Sequence, residues 1–222
     1  MQSSRHQKPG ISNHMIAVID YRAGNLTSVR LALESLQVDS VITDDPACIL
    51  ESERVIFPGV GAIGSAMQNL QALKLVPTIR SVVQKGTPFL GICLGTQIIF
   101  ERSEEDGGVA GIGLLPGSVR RFQPSNRADK VPQIGWNQVH PLRNHPVFQG
   151  IDDQSEFYFV HSYYPCPADP ATILGETDYA GVRFASAVAR GNIVATQFHP
   201  EKSGRTGLHL LKNFLTWNGR PE

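Results

Sequence analysis

Four short strand-like runs, the continuous apolar Met15–Ile19, then Val38–Thr43, Arg54–Phe57 and Thr87–Cys93, separated by stretches of helical periodicity, constrain this chain most. Strands that are apolar on both faces need cover on both, and strands joined through helices run parallel. The alternation therefore predicts an α/β fold with a parallel sheet and flanking helices. Leu26, Val29, Leu33 and Leu36 give the first connecting helix a single core-facing stripe, with Asn25 placed to cap it.

The second half has a different rhythm. Short β-like runs fall at Ser118–Phe122, Ile134–Val139, Glu156–Val160, Thr172–Glu176, Arg183–Ala189 and Ile193–Gln197, divided by turn residues. A final helix, Gly204–Trp217, carries Leu208, Leu211, Phe214 and Leu215 on one face. No repeat or Pro/Ser-rich linker separates the halves, so residues 15–222 read as one domain: a parallel α/β core with an added, mixed β region. Residues 1–14 are polar, contain Pro9 and Gly10, and lack the apolar centre of a secretory signal, which reads as a disordered leader.

Charge and cysteine content exclude several functions. Twenty basic and twenty acidic side chains cancel, leaving no global field for nucleic acid or an anionic membrane. The longest uncharged stretch, Val55–Leu73, is interrupted by Pro58 and glycines and does not read as a spanning helix. Three scattered cysteines form no disulfide framework and no CxxC pair, which suits a reducing compartment such as the cytoplasm and suggests neither a metal nor a redox cofactor.

One cysteine stands apart. Gly91-Ile92-Cys93-Leu94-Gly95 lies where the fourth strand gives way to a helix, the position of a nucleophile elbow. Side chains two residues to either side of such a bend collide unless they are hydrogen, and a helix starting at Leu94 turns free amides and its positive end toward the sulfur. Cys93 is thus the candidate nucleophile. Cys48, beside Ile49 and Leu50, reads as a core residue, and Cys166, between two prolines, as a loop residue.

A thiol nucleophile needs a base. Of the seven histidines, His6 and His14 lie in the leader, His140 and His145 in a proline-containing loop and His209 on the last helix, leaving His161 and His199. His199 follows an apolar strand, where the loops of an α/β sheet gather, and Glu201 two residues on points to the same side of an extended backbone. Cys93, His199 and Glu201 then fill the roles of nucleophile, base and orienting acid. The Leu94 amide is one candidate oxyanion donor, and the Pro58-Gly59-Val60-Gly61 loop supplies the other. Gly59, Gly61 and Gly64 also spell the dinucleotide pattern GxGxxG, but they follow the third strand and no acid stands about twenty residues on to meet a ribose. There is no P-loop motif, so substrate activation by ATP is not expected.

Cys93 in Gly91–Gln97, together with His199-Pro200-Glu201, resembles the class I, triad-type glutamine amidotransferases. Pro58–Met67, Ile134–Val139, Tyr158–Tyr164 and Phe198–Ser203 resemble the branch that provides the glutaminase subunit of imidazole glycerol phosphate synthase. The likeness spans nearly all of Met15–Trp217, with Thr96 where a larger apolar residue is frequent and Gln133 where histidine is, both expected to bear on packing at a partner face. The resemblance implies a flavodoxin-like mixed sheet flanked by helices, and hydrolysis of L-glutamine through a Cys93 thioester. It implies oxyanion donors at Val60, Gly61 and Leu94, glutamine contacts at Gln97, Ser162 and Tyr163, and His161 as a positioning residue. It also implies a (β/α)8-barrel cyclase as partner, met at Asn25, Trp136, Asn137, Tyr158 and Lys202, and a mobile oxyanion loop. Read from the residues alone, Trp136 and Tyr158 equally fit aromatic core packing, and Asn137 and Lys202 a solvated surface.

Overall fold

The computed structural model describes residues 15–23, 26–126 and 128–220. Asn25, expected both as helix cap and as partner contact, lies outside the described residues, as does the leader. The strands are β1 (Ile16–Ile19), β2 (Ser40–Thr43), β3 (Arg54–Gly59), β4 (Phe89–Cys93), β5 (Phe100–Ser103), β6 (Val109–Ala110), β7 (Leu115–Arg121), β8 (Gln133–Gln138), β9 (His140–Pro141), β10 (Glu156–His161), β11 (Tyr163–Pro167), β12 (Ile173–Tyr179), β13 (Val182–Arg190) and β14 (Ile193–Thr196). The helices are α1 (Leu26–Ser35), α2 (Pro46–Glu51), α3 (Ile63–Ala72), α4 (Leu75–Gln84), α5 (Leu94–Gln97) and α6 (Gly204–Thr216).

The main sheet has eight strands in the order β2-β1-β3-β4-β14-β13-β12-β9. From β2 to β14 the pairings are parallel; from β14 to β9 they are antiparallel. Alternation along each central strand splits the core in two. Ile16 and Val18 of β1, Ile56 of β3 and Leu90 and Ile92 of β4 face α1 and α6, meeting Val29, Leu33, Leu211 and Phe214. Ala17, Ile19, Val55, Phe57 and Phe89 face the other way onto α3 and α4, meeting Leu70, Leu75 and Ile79. A helical layer thus covers each face of the buried parallel strands. Among the described residues no helix is long and apolar enough to cross a membrane.

Two smaller sheets stand beside the main one: β11-β7-β5-β6, and the antiparallel pair β10-β8. The expected helix after Cys93 is a single turn, Leu94–Gln97, followed two residues later by β5. Ile98 and Ile99 form the turn that ends the helix, Ile98 with helical backbone angles, and the chain becomes extended at Phe100; all three are fully buried. A four-residue helix adds little macrodipole, so the free amides rather than a long dipole face the sulfur. Cys166 lies in β11 and not in a loop. Pro165 and Pro167 are compatible with that strand because β11 is the edge of its sheet. Cys48 is half-buried on α2, where Ile49 takes the core position.

The tightest point of the fold lies between β3 and the turn after β4. A Cβ on Gly95 would stand 1.8 Å from the Phe57 carbonyl oxygen, and one on Gly91 would stand 2.8 Å from the Gly95 carbonyl oxygen. Both obstacles are backbone and cannot swing aside. Gly95→Ala is therefore expected to destabilise the chain by at least about 3 kcal/mol, the upper range for overpacking, measurable as a fall in the urea midpoint.

Candidate active site

Cys93 ends β4 with φ 54° and ψ −105°, a conformation that L side chains rarely adopt. The register Gly59↔Cys93 and Ile92↔Thr196 hydrogen-bonds this strand on both sides, which holds the strained residue in place. The sulfur opens onto a cleft of about 450 Å³ lined by Val60, Gly61, Leu94, Gln97, Glu105, Pro132, Val160, His161, Ser162, Tyr163 and Lys202. A larger surface cleft, about 590 Å³, lies between Pro141 and Asp153. It contains neither the nucleophile nor its base, so chemistry and not size selects the smaller one.

His199 stands just past β14, the strand paired to β4. Its Nδ1 donates to Glu201 Oε1 at 2.7 Å, and both side chains are almost fully buried. The route differs from the expected extended backbone: Pro200–Lys202 is a 3-10 turn, which brings the Glu201 carboxylate back under the ring. Ser203 locks that turn by donating to the His199 carbonyl and accepting the Tyr158 N–H, while the His199 N–H donates to the Tyr158 carbonyl. Burial alone would lower the pKa of His199. The neighbouring Cys93 sulfur first, and Glu201 second, override it and hold the ring at about 10. His199 is therefore an imidazolium at neutral pH. Its Nε2 is buried without a hydrogen bond of ordinary geometry, so the sulfur acts on it through charge more than through a formed bond.

His161 is the opposite case. Burial pulls its pKa down to about 4, the Tyr163 carbonyl pulling back and the His199 charge adding to the fall. Its Nδ1 is 2.7 Å from the Tyr163 carbonyl, which can only accept, so the proton sits on Nδ1. Nε2 is then a lone pair 3.0 Å from the position of Gln133 Oε1, so the amide, whose O and N are interchangeable by a half-turn, must be turned to present its NH2 there. Both ring nitrogens are occupied within the chain, the arrangement of a positioning residue. Gln133 and Thr96 are themselves buried: Gln133 holds His161, and the Thr96 hydroxyl donates to the Thr196 carbonyl at 2.6 Å.

The loop expected to supply oxyanion donors lines the cleft through Val60 and Gly61, opposite Leu94. Gly59 beneath it has no room for a side chain: a Cβ would be 2.7 Å from the Tyr21 hydroxyl and 2.8 Å from Leu94 Cβ. That hydroxyl is buried with no bond of ordinary geometry. Burial raises its pKa and the adjacent Val60 amide opposes the rise, so the amide lies close without closing a bond. The dinucleotide alternative for this loop meets a direct obstacle. The Glu105 carboxylate already accepts the Ile63 N–H at the start of α3, at 2.8 Å, where a pyrophosphate would lie.

Of the expected substrate contacts, Gln97, Ser162 and Tyr163 all line the cleft. Two residues of the site carried no signal in the sequence: Glu105, a cleft residue whose role depends on a fold-back from a separate sheet, and Gln197, which touches the nucleophile from the end of β14. Of the expected partner contacts, Trp136 is 54% exposed and not core, Tyr158 is half-buried with its ring 6.1 Å from that of Trp136, and Lys202 stands at the cleft. Ile134, 64% exposed, extends the apolar strip along β8. The half-buried Asn137 side chain donates to the Asp178 carbonyl at 3.0 Å.

A neutral buried His161 also makes a stability prediction. Its folded pKa lies below the unfolded value near 6.5, so the unfolded chain takes up the proton first and stability falls as pH drops from about 6.5 toward 4. Between pH 7 and pH 5 this ring accounts for a loss on the order of 1–2 kcal/mol. His161→Gln should flatten the urea-midpoint profile over that interval by this amount, and an unchanged slope would contradict a neutral ring.

Comparison with known proteins gives three results. Residues 17–217 match the family model described as glutamine amidotransferase class-I. Proteins named imidazole glycerol phosphate synthase subunit HisH from Moorella thermoacetica and Chromobacterium violaceum are 51% and 49% identical, covering 90% and 92% of this chain and 93% and 98% of their own. Among solved structures, PurLQS from Thermotoga maritima overlays with a TM-score of 0.70 at 19% identity, over 92% of this chain and 98% of that one. A glutamine amidotransferase from the same organism gives 0.65 at 18% identity, over 91% and 83%. At such identities the structural likenesses speak for the fold alone.

Proposed function

The chain belongs to the class-I glutamine amidotransferase family, as the glutaminase subunit of an imidazole glycerol phosphate synthase, and we propose that Cys93, His199 and Glu201 perform its hydrolysis of L-glutamine. Near half-identity over nine tenths of the chain to relatives of that name carries the assignment. The support for the residues is the buried imidazolium facing a strained, cleft-lining sulfur.

In this reading the Cys93 thiolate attacks the γ-carboxamide carbon, and the carbonyl oxygen becomes an oxyanion held by the amides of Leu94 and Val60. Each such donor supports about 10²–10³-fold in rate. His199, already protonated, gives its proton to the departing nitrogen, so ammonia leaves and a γ-glutamyl thioester remains. The neutral ring then takes a proton from water, whose oxygen attacks the thioester; glutamate departs, the sulfur regains its negative charge and His199 its proton. Glu201 holds the ring in orientation at 2.7 Å throughout. Gln97, Ser162 and Tyr163 bind the glutamine. Glu105, a carboxylate in the same cleft, suits its α-ammonium.

Ammonia released into neutral water is mostly protonated and non-nucleophilic, so it must pass under cover to its acceptor. That chemistry supports a (β/α)8-barrel cyclase docked at the cleft mouth, which would form imidazole glycerol phosphate and an aminoimidazole carboxamide ribonucleotide. The exposed Ile134–Trp136 strip with Tyr158, and Lys202 beside the cleft, support the docking face. Three free cysteines suit a reducing, cytoplasmic setting. No cofactor enters this chemistry.

A diazoketone analogue of glutamine should label Cys93, read as one modified peptide by mass spectrometry; labelling of Cys48 or Cys166 instead would overturn the site. Cys93→Ala should lower glutamine-dependent synthesis by about 10⁴-fold or more while ammonia-dependent synthesis by the complex persists. Glutamine hydrolysis should rise when the cyclase and its nucleotide ligand are added, and Trp136→Ala should weaken that response by weakening association. Equal hydrolysis with and without the partner would remove the claim that the oxyanion loop is gated.

A further inference from the structure

Gln197 has no part in the scheme above, yet its side chain makes direct contact with the nucleophile. It is fully buried just past β14, its backbone N–H fixed on the Ser186 carbonyl at 2.8 Å. Its Nε2 lies 3.7 Å from Cys93 Sγ, and its Oε1 lies 3.1 Å from Gln97 Nε2. Gln97 Nε2 is also 3.1 Å from the Tyr163 carbonyl.

The direction of this relay follows from one fixed acceptor. The Tyr163 carbonyl can only accept, so Gln97 must turn its NH2 group toward it. The second hydrogen of that NH2 meets Gln197, whose carbonyl must therefore face Gln97. The Gln197 NH2 is left facing the sulfur. A further polar neighbour of the sulfur, the Val160 carbonyl at 3.9 Å, has the opposite preference, since it accepts from a thiol and repels a thiolate. Protonated, the sulfur can donate to Val160; ionised, it is held by an N–H from Gln197 and by the charge on His199.

We propose that Gln197 is a direct donor to the Cys93 thiolate, and that through Gln97 it ties the state of the nucleophile to occupation of the glutamine site. The proposal rests on the reading of Cys93 as the nucleophile. A neutral amide suits the task because it favours the ionised sulfur without a second cation that would compete with His199 for it. The same N–H serves the second half of the reaction, where the sulfur departs from the thioester carbon and takes up negative charge.

The experiment is the pH dependence of Cys93 alkylation by iodoacetamide in the full chain, followed by mass, for wild type, Gln197→Met and Gln197→Glu. Methionine keeps the volume without the N–H; glutamate still accepts from Gln97 but turns an oxygen toward the sulfur. The midpoint should move up by about one pH unit in Gln197→Met, the size expected for one lost charge-assisted bond, and further in Gln197→Glu. A purely structural role would lower the melting temperature and leave the midpoint in place, and coincident midpoints in a folded variant overturn the proposal. Should neither variant fold, the Gln197 side-chain amide signal in nitrogen-15-labelled wild type decides: it moves with ionisation of Cys93 if the bond exists, and is indifferent to it if not. If Cys93 of the wild type reacts no faster than Cys48 or Cys166, the reading of the nucleophile fails; if it reacts faster and the midpoints coincide, only the role of Gln197 fails.

Discussion

The unfavourable backbone of Cys93 is the constraint around which the rest of the site is arranged. A positive φ at a residue with a Cβ costs on the order of 1–3 kcal/mol, and here it is maintained by neighbours on every side. β3 and β14 flank β4 and hydrogen-bond it along its length. The turn beyond it presses directly on the Phe57 carbonyl, with no side-chain layer between. The strain places a sulfur at the carboxyl ends of parallel strands, where an α/β sheet opens its crevice. Cys93 stays buried at the border of one core while its sulfur lines the cleft.

Electrostatics around the sulfur follow from how little water reaches it. A buried imidazole left to itself would be neutral, as His161 is, held at about 4 by burial. His199 is equally withdrawn from solvent but has a sulfur on one side and a carboxylate on the other, and it sits at about 10. Two histidines in one site thus carry opposite charge states at neutral pH, His161 set by its burial and His199 by the charged partners that override burial. The amides of Gln97 and Gln197 fit the same scheme, because a low-dielectric site leaves each buried donor and acceptor a narrow choice of orientation.

What the sequence disclosed and what it withheld divide along a physical line. Features written by neighbours in the chain were legible: the glycines around Cys93, the His-Pro-Glu triplet, the apolar runs of β1, β3 and β4. Features made by distant segments were not. β5 was hidden because the motif implies a longer helix after the elbow, and β11 because its prolines read as loop until an edge position makes them tolerable. Gln197 sits two residues before His199 with no local mark of use; only the fold brings it to a sulfur 104 residues earlier. Gln133, expected to bear on packing at a partner face, is buried against His161, a contact that nothing in its own neighbourhood announces.

The strand order β4-β14-β13 has a consequence for how such a chain is born. The strand that carries the base is inserted beside the strand that carries the nucleophile, although about a hundred residues of polypeptide separate them. On a ribosome, which delivers the amino-terminal part first, Cys93 must emerge long before His199 exists. The nascent chain thus carries the thiol before its base, and the pair can form only once β14 stands beside β4.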